Sequence, residues 1–136
     1  MGKRSTGRKL AMQILYQADI RNTSVDTIID HFWDVHQFES DTTQWANDLA
    51  ISTWFHKDTI DPVIEKMAIG WEFDRLNPID KAILRLALYE LIHDKIKPSV
   101  IINEAVEICK KYSSDDSHRF VNGILGQYVK QCSPES

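Results

Sequence analysis

The sequence of 136 residues lacks most features that mark a membrane protein, a metalloprotein or a disulfide-stabilised domain. It has only two cysteines, Cys109 and Cys132, and their separation fits neither a metal site nor a redox motif. No apolar run approaches the roughly 18 residues of a membrane span, and no signal peptide opens the chain. A glycine-rich phosphate loop is absent as well. We therefore expect a protein of the reducing cytoplasm without a cofactor.

Acidic residues are missing from residues 1–18, which contain Lys3, Arg4, Arg8 and Lys9. Residues 19–61 carry the opposite excess, nine acids against two basic residues, and the formal net charge of the chain is −4. A basic arm, residues 1–8, on an acidic body is typical of a segment that binds an anionic partner, with nucleic acid the first candidate. The alternative reading is a solvated, frayed terminus.

Alternating apolar and polar residues, the pattern of half-buried strands, are lacking too, and apolar residues recur at helical spacing instead. This predicts one all-α domain over residues 1–136, a compact bundle with a flexible tail at 130–136. Helices are predicted in the segments GRKLAMQILYQAD, SVDTIIDHFWDVH, TTQWANDLAISTWF and DPVIEKMA, the last with Pro62 in its first turn.

The segment NPIDKAILRLALYELI, residues 77–92, is the most informative for the fold. Asn77 is a plausible N-cap, Pro78 suits the first helical position, and Asp80 complements the helix dipole. Apolar residues then cover nearly the whole circumference, which predicts a helix buried on most sides at the centre of the bundle. Another helix is expected in SVIINEAVEICKKY, with Ser99 as its cap after Pro98.

The stretch DDSHRFVNGIL, residues 115–125, contains an Asn-Gly pair that favours a turn. The helical period continues through Asn122-Gly123, however, so we place the pair inside a helix and expect a close helix–helix approach at Gly123. Consecutive Asp, Ser and His side chains at a helix start fan apart, which argues against a catalytic triad. Ser114, Asp115 or Asp116 is expected to cap this helix.

Histidines and tryptophans offer no better catalytic or metal site. His31 and His36 are five residues apart, the wrong spacing for two ligands on one helix face, and no Cys/His cluster supports a metal ion. His36 lies on an apolar stripe and is expected to pack there. The four tryptophans are more typical of packing than of base stacking.

Four segments, GRKLAMQILYQ, DKAILRLALYEL, VIINEAVEICKKY and DDSHRFVNGIL, occur in an order and spacing that resemble the NusB family of bacterial transcription antitermination factors. The resemblance implies a non-catalytic, all-α fold of about seven helices in two subdomains. It also implies binding to the boxA element of nascent, single-stranded RNA together with a small-subunit ribosomal protein, called NusE in that role. Such a complex keeps RNA polymerase elongating, notably through ribosomal RNA operons.

The same resemblance implies site residues by position. The RNA-binding residues it implies are Lys3, Arg4, Arg8, Lys110, Tyr112, Asp116, Ser117 and Phe120, and Lys9 is an addition of this chain to the basic arm. The residues that it implies for the ribosomal protein are Tyr16, Asp80, Lys81 and Arg85.

Two departures from the family pattern concern the basic arm. Relatives carry a denser arginine run where this chain reads KRSTGRK, and Lys9 stands where many of them place an acid. We therefore expect modest RNA affinity without the protein partner. Neutralising about four phosphates would make log K fall with log salt at a slope near −3.

Two other function classes stay open. The fold resembles the N-terminal domain of some ribosomal RNA cytosine methyltransferases, but these 136 residues include no cofactor-binding domain, which argues against that class. The other alternative is a helical protein-interaction or homodimeric domain without RNA binding. For the antitermination factor itself, we expect a monomer or weak homodimer.

Overall fold

The computed structural model describes residues 2–114 and 116–132, and these form seven α-helices and one short 3-10 helix. No strand occurs within those two ranges. None of the described helices is both long and apolar enough to cross a membrane. The helices are α1 (Lys3–Ile20), α2 (Val25–Val35), α3 (Ser40–Phe55), α4 (Lys57–Met67), α5 (Pro78–His93), α6 (Pro98–Tyr112) and α7 (Ser117–Cys132), with the 3-10 helix at Phe73–Arg75.

The helices form two groups that share α5. Helices α1, α2 and α3 pack on one another, and α4, α6 and α7 pack against α5, which also contacts α1 and α3. A single apolar core runs through both groups, from Leu10 and Leu15 in α1 to Val121 and Leu125 in α7. The predicted all-α bundle of two subdomains around a central helix is confirmed.

Helix α5 begins as the sequence predicts. The Asn77 side chain accepts a hydrogen bond from the backbone N–H of Ile79 at 2.8 Å, and Pro78 occupies the first helical position, where its missing N–H is not needed. The helix is buried along most of its length, including its polar residues. Those buried polar residues are Asp80, Lys81, Arg85 and Glu90.

Two predicted helix starts are wrong. Helix α4 begins at Lys57, directly after His56 ends α3, so Pro62 lies inside the helix and not in its first turn. Helix α6 begins at Pro98, so Ser99 is already helical and is not a cap. Helix α4 starts immediately after His56, the single residue between α3 and α4, and α6 starts at Pro98, whose preset φ suits the first helical position.

The Asn122-Gly123 pair lies inside α7, as predicted, but the expected close helix contact at Gly123 is wrong. Both residues are exposed, and a Cβ on Gly123 would meet nothing within 4 Å. The glycine that permits a close approach is Gly7 in α1. A Cβ there would lie 2.4 Å from Cε3 of Trp45 in α3, so only glycine lets the indole rest on α1.

The predicted arm and tail are largely helical where they are described. Residues 3–8 form the first turns of α1, and residues 130–132 the last turn of α7. Residues 133–136 and Asp115, one of the expected caps, lie outside the described residues. The proposed limits of the arm and the tail stay predictions.

Candidate nucleic-acid interface

The exposed start of α1 holds two basic side chains in different surroundings. The ammonium of Lys3 lies 2.6 Å from a carboxylate oxygen of Asp41 and 3.1 Å from one of Glu39. Hydrogen bonds to these two acids raise the pKa of Lys3, and the bond from Lys3 lowers the pKa of Asp41. Arg4 is exposed, with its guanidinium carbon 5.7 Å from the centre of the Trp45 ring. Arg4 therefore offers the less neutralised charge.

Arg8 points into the protein. Its Nε lies 2.9 Å and 3.1 Å from the two carboxylate oxygens of Glu90, its Nη2 lies 2.9 Å from Glu90 Oε2, and its Nη1 donates to Glu104 at 3.1 Å. Burial works to lower the pKa of Arg8, but the bonds and attraction to the two glutamates outweigh it and raise that pKa. Because the residue is only 5 % exposed, its charge serves the fold. Direct contact with RNA stays an untested prediction for Arg8.

A small cleft separates α1 from the C-terminal half of α6. Its volume is about 80 Å³. Lys9 and Lys111 meet there: burial, and then the neighbouring Lys111, lower the pKa of Lys9. Lys111 also lies 5.7 Å from the centre of the Tyr112 ring. The cleft is lined by Ser5, Thr6, Lys9, Glu104, Glu107, Ile108, Lys111 and Tyr112.

The cleft brings two predicted RNA residues, Lys9 and Tyr112, side by side although they are far apart in sequence. Lys111 is a member of the cleft that the prediction did not include. Its only signal in the sequence was a basic residue in the last turn of a helix, a position that the helix dipole explains equally well.

The turn between α6 and α7 is held by Asp80 of α5. The Asp80 carboxylate accepts hydrogen bonds from the hydroxyls of Ser113 at 2.7 Å and Ser117 at 2.8 Å. Asp80 and Ser117 are 6 % and 5 % exposed. A residue predicted for RNA and a residue predicted for the protein partner are thus bonded to each other in the interior, where they fix the turn that follows Tyr112.

The remaining predicted RNA residues flank this turn. Lys110 is exposed and lines a groove between α6 and α7 together with His118 and Arg119. Asp116 is exposed at the start of α7. Phe120 is half-buried and packs against Trp71 with ring centres 5.5 Å apart, so part of its ring belongs to the core and part faces solvent.

Three of the four residues predicted to bind the ribosomal protein gather around an ion network between α1, α4 and α5. Arg85 donates two hydrogen bonds of 2.8 Å to Asp61 and lies 3.3 Å from Asp19, and Lys81 lies 3.9 Å from Asp19. Attraction to these acids raises the pKa of Arg85 against the opposing effect of burial. Tyr16, half-buried, stands one helical turn before Asp19. Asp80, the fourth residue, points instead to the α6–α7 turn.

No group of three or more possible metal ligands occurs among the described residues. Cys109 is fully buried, and burial, with a smaller contribution from Asp80, raises the pKa of its thiol to about 12. His36 stacks on Phe32 with ring centres 4.2 Å apart, so the predicted packing role of His36 is confirmed.

These features define a class of protein: an all-helical domain that presents a two-lysine cleft and a neighbouring groove lined by Lys110, His118 and Arg119. The NusB family model matches residues 5–130, so the chain belongs to the NusB family. It is 38% identical to the transcription antitermination protein NusB of Symbiobacterium thermophilum, an alignment that covers 93% of this chain and 89% of that protein. Family membership confirms the predicted resemblance and the prediction that the chain is not an enzyme.

Solved structures agree with this assignment. The fold is similar to NusB of T. maritima, with a TM-score of 0.86 and 29% identity over 96% of this chain and 92% of that one. It is equally similar, with a TM-score of 0.86 and 29% identity, to a chain in the crystal structure of antitermination factors NusB and NusE in complex with double-stranded RNA. That match covers 96% of this chain and 98% of the other.

Proposed function

We propose that this protein is a transcription antitermination factor of the cytoplasm that binds boxA-type single-stranded RNA together with the ribosomal protein NusE. In this role it promotes elongation by RNA polymerase through ribosomal RNA operons. The observation that carries the proposal is the cleft in which Lys9 of α1 meets Lys111 and Tyr112 of α6, in a chain of the NusB family.

The chemistry of this surface suits an unpaired strand. Single-stranded RNA is held by cations along its phosphates and by aromatic rings against its exposed bases. Arg4, Lys9 and Lys110 supply cations at the surface, and Tyr112 and Phe120 present partly exposed rings.

The predicted RNA residues divide into two roles. Arg8 and Ser117 are buried and bonded to glutamate or aspartate, so we assign them to positioning: Arg8 holds α1 against α5 and α6, and Ser117 holds the turn after Tyr112. Lys3 is exposed but shared with two acids, so RNA has to compete with Glu39 and Asp41 for it. We therefore assign direct contact with RNA to the predicted RNA-binding residues whose side chains are exposed.

We propose that the ribosomal protein binds the surface around Tyr16 and the rim of the ion network at Asp19. Lys81 and Arg85 are 8 % and 5 % exposed, so they stabilise this surface from beneath more than they contact a partner. Asp80 does not belong to this surface, since its carboxylate holds the α6–α7 turn instead.

The test is the affinity for a labelled single-stranded boxA RNA, measured by fluorescence anisotropy with and without the cognate ribosomal protein. We expect tighter binding with the partner and a weaker interaction for Arg4→Ala, with Lys66→Ala on the exposed face of α4 as the matched control. Unchanged RNA binding by Arg4→Ala and no effect of the ribosomal protein would favour a helical interaction domain without an RNA role.

The salt dependence provides a second measurement. With Arg8 inside the fold, three cations of α1 remain for phosphates, and the slope of log K against log salt is expected to be near −2 from these contacts alone. A slope near zero would remove α1 from the interface.

A further inference from the structure

Lys9 and Lys111 line the same cleft, and neither forms a salt bridge with an acid of the described residues. No carboxylate of the described residues lies within 4.0 Å of either ammonium group. Glu104, on the wall of the same cleft, is already engaged, accepting hydrogen bonds from Arg8 at 3.1 Å and Ser5 at 2.5 Å. Glu107 is exposed at the rim.

The two ammonium groups face the same cleft and repel each other. Burial of Lys9, and then repulsion from the neighbouring Lys111, lower the pKa of Lys9, whereas Lys111 itself is exposed. An anion between the two ammonium groups offsets their repulsion, because each of them then donates a charge-assisted hydrogen bond to the same acceptor. A cleft of about 80 Å³ is several times larger than the roughly 10–15 Å³ that one water needs, so it has room for a group of a few heavy atoms.

We propose that Lys9 and Lys111 form a two-lysine phosphate site that takes one phosphodiester of the bound RNA strand. The inference rests on the proposed function and deepens it, since it names the chemical group that the cleft recognises. The hydroxyl of Thr6, which lines the same cleft, is a further donor, and the Tyr112 ring beside Lys111 lies where the base next to that phosphate is expected.

The test compares Lys9→Gln, Lys111→Gln and the double variant of the full chain with a Lys66→Gln/Lys130→Gln control, which has the same net charge but leaves the cleft intact. RNA affinity is measured in the presence of the ribosomal protein. Each single variant is expected to lose about tenfold in affinity, the value of one charge-assisted hydrogen bond. Because both lysines act on one phosphate, the double variant should lose less than the product of the two single losses, and its salt slope should fall in magnitude by about 0.7. The control should stay within about twofold of the wild type.

Nuclear magnetic resonance of the lysine side chains distinguishes the source of the phosphate and separates this inference from the proposed function. Shifts of Lys9 and Lys111 on adding RNA, but not millimolar inorganic phosphate, support a site for the strand. Shifts with inorganic phosphate alone support the site even if the wild type fails to bind RNA. If RNA binds the wild type but neither RNA nor inorganic phosphate shifts these resonances, the two-lysine site is refuted and the proposed function stands. The same conclusion follows if the double variant binds RNA as tightly as the wild type while Arg4→Ala binds weakly. If RNA does not bind and neither ligand shifts the resonances, both the site and the proposed function are refuted.

Discussion

The substitution Glu90→Gln tests whether Arg8 is a structural residue. Glu90 is 1 % exposed and is the main partner of Arg8, through three N–H···O contacts of 2.9, 3.1 and 2.9 Å. Glutamine keeps the size of the side chain but removes its charge, and its amide NH₂ turns toward the N–H groups of Arg8. The guanidinium then stays buried with only Glu104 to balance it.

The magnitude follows from this geometry. Removing one partner of a buried ion pair costs about 3–5 kcal/mol because the other charge is left uncompensated. Glu104 still accepts one hydrogen bond from Arg8 at 3.1 Å and is itself partly exposed, so we expect the lower end of that range, about 3 kcal/mol. Against a total stability of about 5–15 kcal/mol for a domain, such a loss is readily measured.

The assay is urea unfolding followed by circular dichroism. The double variant Arg8→Met/Glu90→Leu is the control, since it replaces the pair by apolar groups, and it should recover most of the lost free energy of unfolding. Lys3→Met removes an exposed pair and should change stability little. A loss below about 1 kcal/mol for Glu90→Gln, or a double variant no more stable than the single one, would show that Arg8 does not depend on Glu90 and would return it to the list of direct RNA contacts.

Three further predictions concern packing, thiol reactivity and alkaline stability. Gly7→Ala places a Cβ 2.4 Å from the Trp45 ring and should lower the free energy of unfolding by about 1–3 kcal/mol. Gly123→Ala lies in open space within a helix and should raise the free energy of unfolding by up to about 1 kcal/mol. Equal effects of the two substitutions in thermal unfolding would contradict this difference between the two glycines. At pH 8 a thiol reagent should modify exposed Cys132 and spare buried Cys109 until the protein is denatured, and rapid modification of both would show that the core opens there. Because the pKa of Cys109 is raised from 9.0 to about 12, its contribution to stability is complete below pH 9 and is lost as the pH rises toward 12, so Cys109→Ala should flatten that alkaline decline.

The central helix could be predicted from sequence because its signals are local. Asn77 and Pro78 mark the start within two residues, and apolar residues on all sides indicate burial without knowledge of the neighbours. The start of α4 could not be predicted in this way. Proline is most common in a first turn, but here the junction at His56 sets the boundary five residues before Pro62.

The site was harder to predict because its contacts join distant parts of the chain. From the sequence, Arg8 is predicted to be one more exposed charge of a basic arm. In the structure it is paired with Glu90, which is 82 residues away in the chain. Likewise, nothing in the amphipathic segment around Gly7 indicates that this position needs a glycine, because the contact that requires it is made by Trp45 of another helix. The family resemblance located the region by position, but it could not separate surface cations from a buried one, since that depends on which way each helix face turns.

The hydrogen bonds of Asp80 affect how variants of this protein are interpreted. One carboxylate at the start of α5 restrains both Ser113 and Ser117. Although Asp80 was predicted to bind the ribosomal protein, its removal therefore disturbs the α6–α7 turn, which belongs to the proposed RNA surface. Defects in RNA binding and in partner binding would then appear together in one mutant. Neither defect would show that Asp80 touches RNA or protein, and genetic data at this position should be read as reporting on the geometry of the turn.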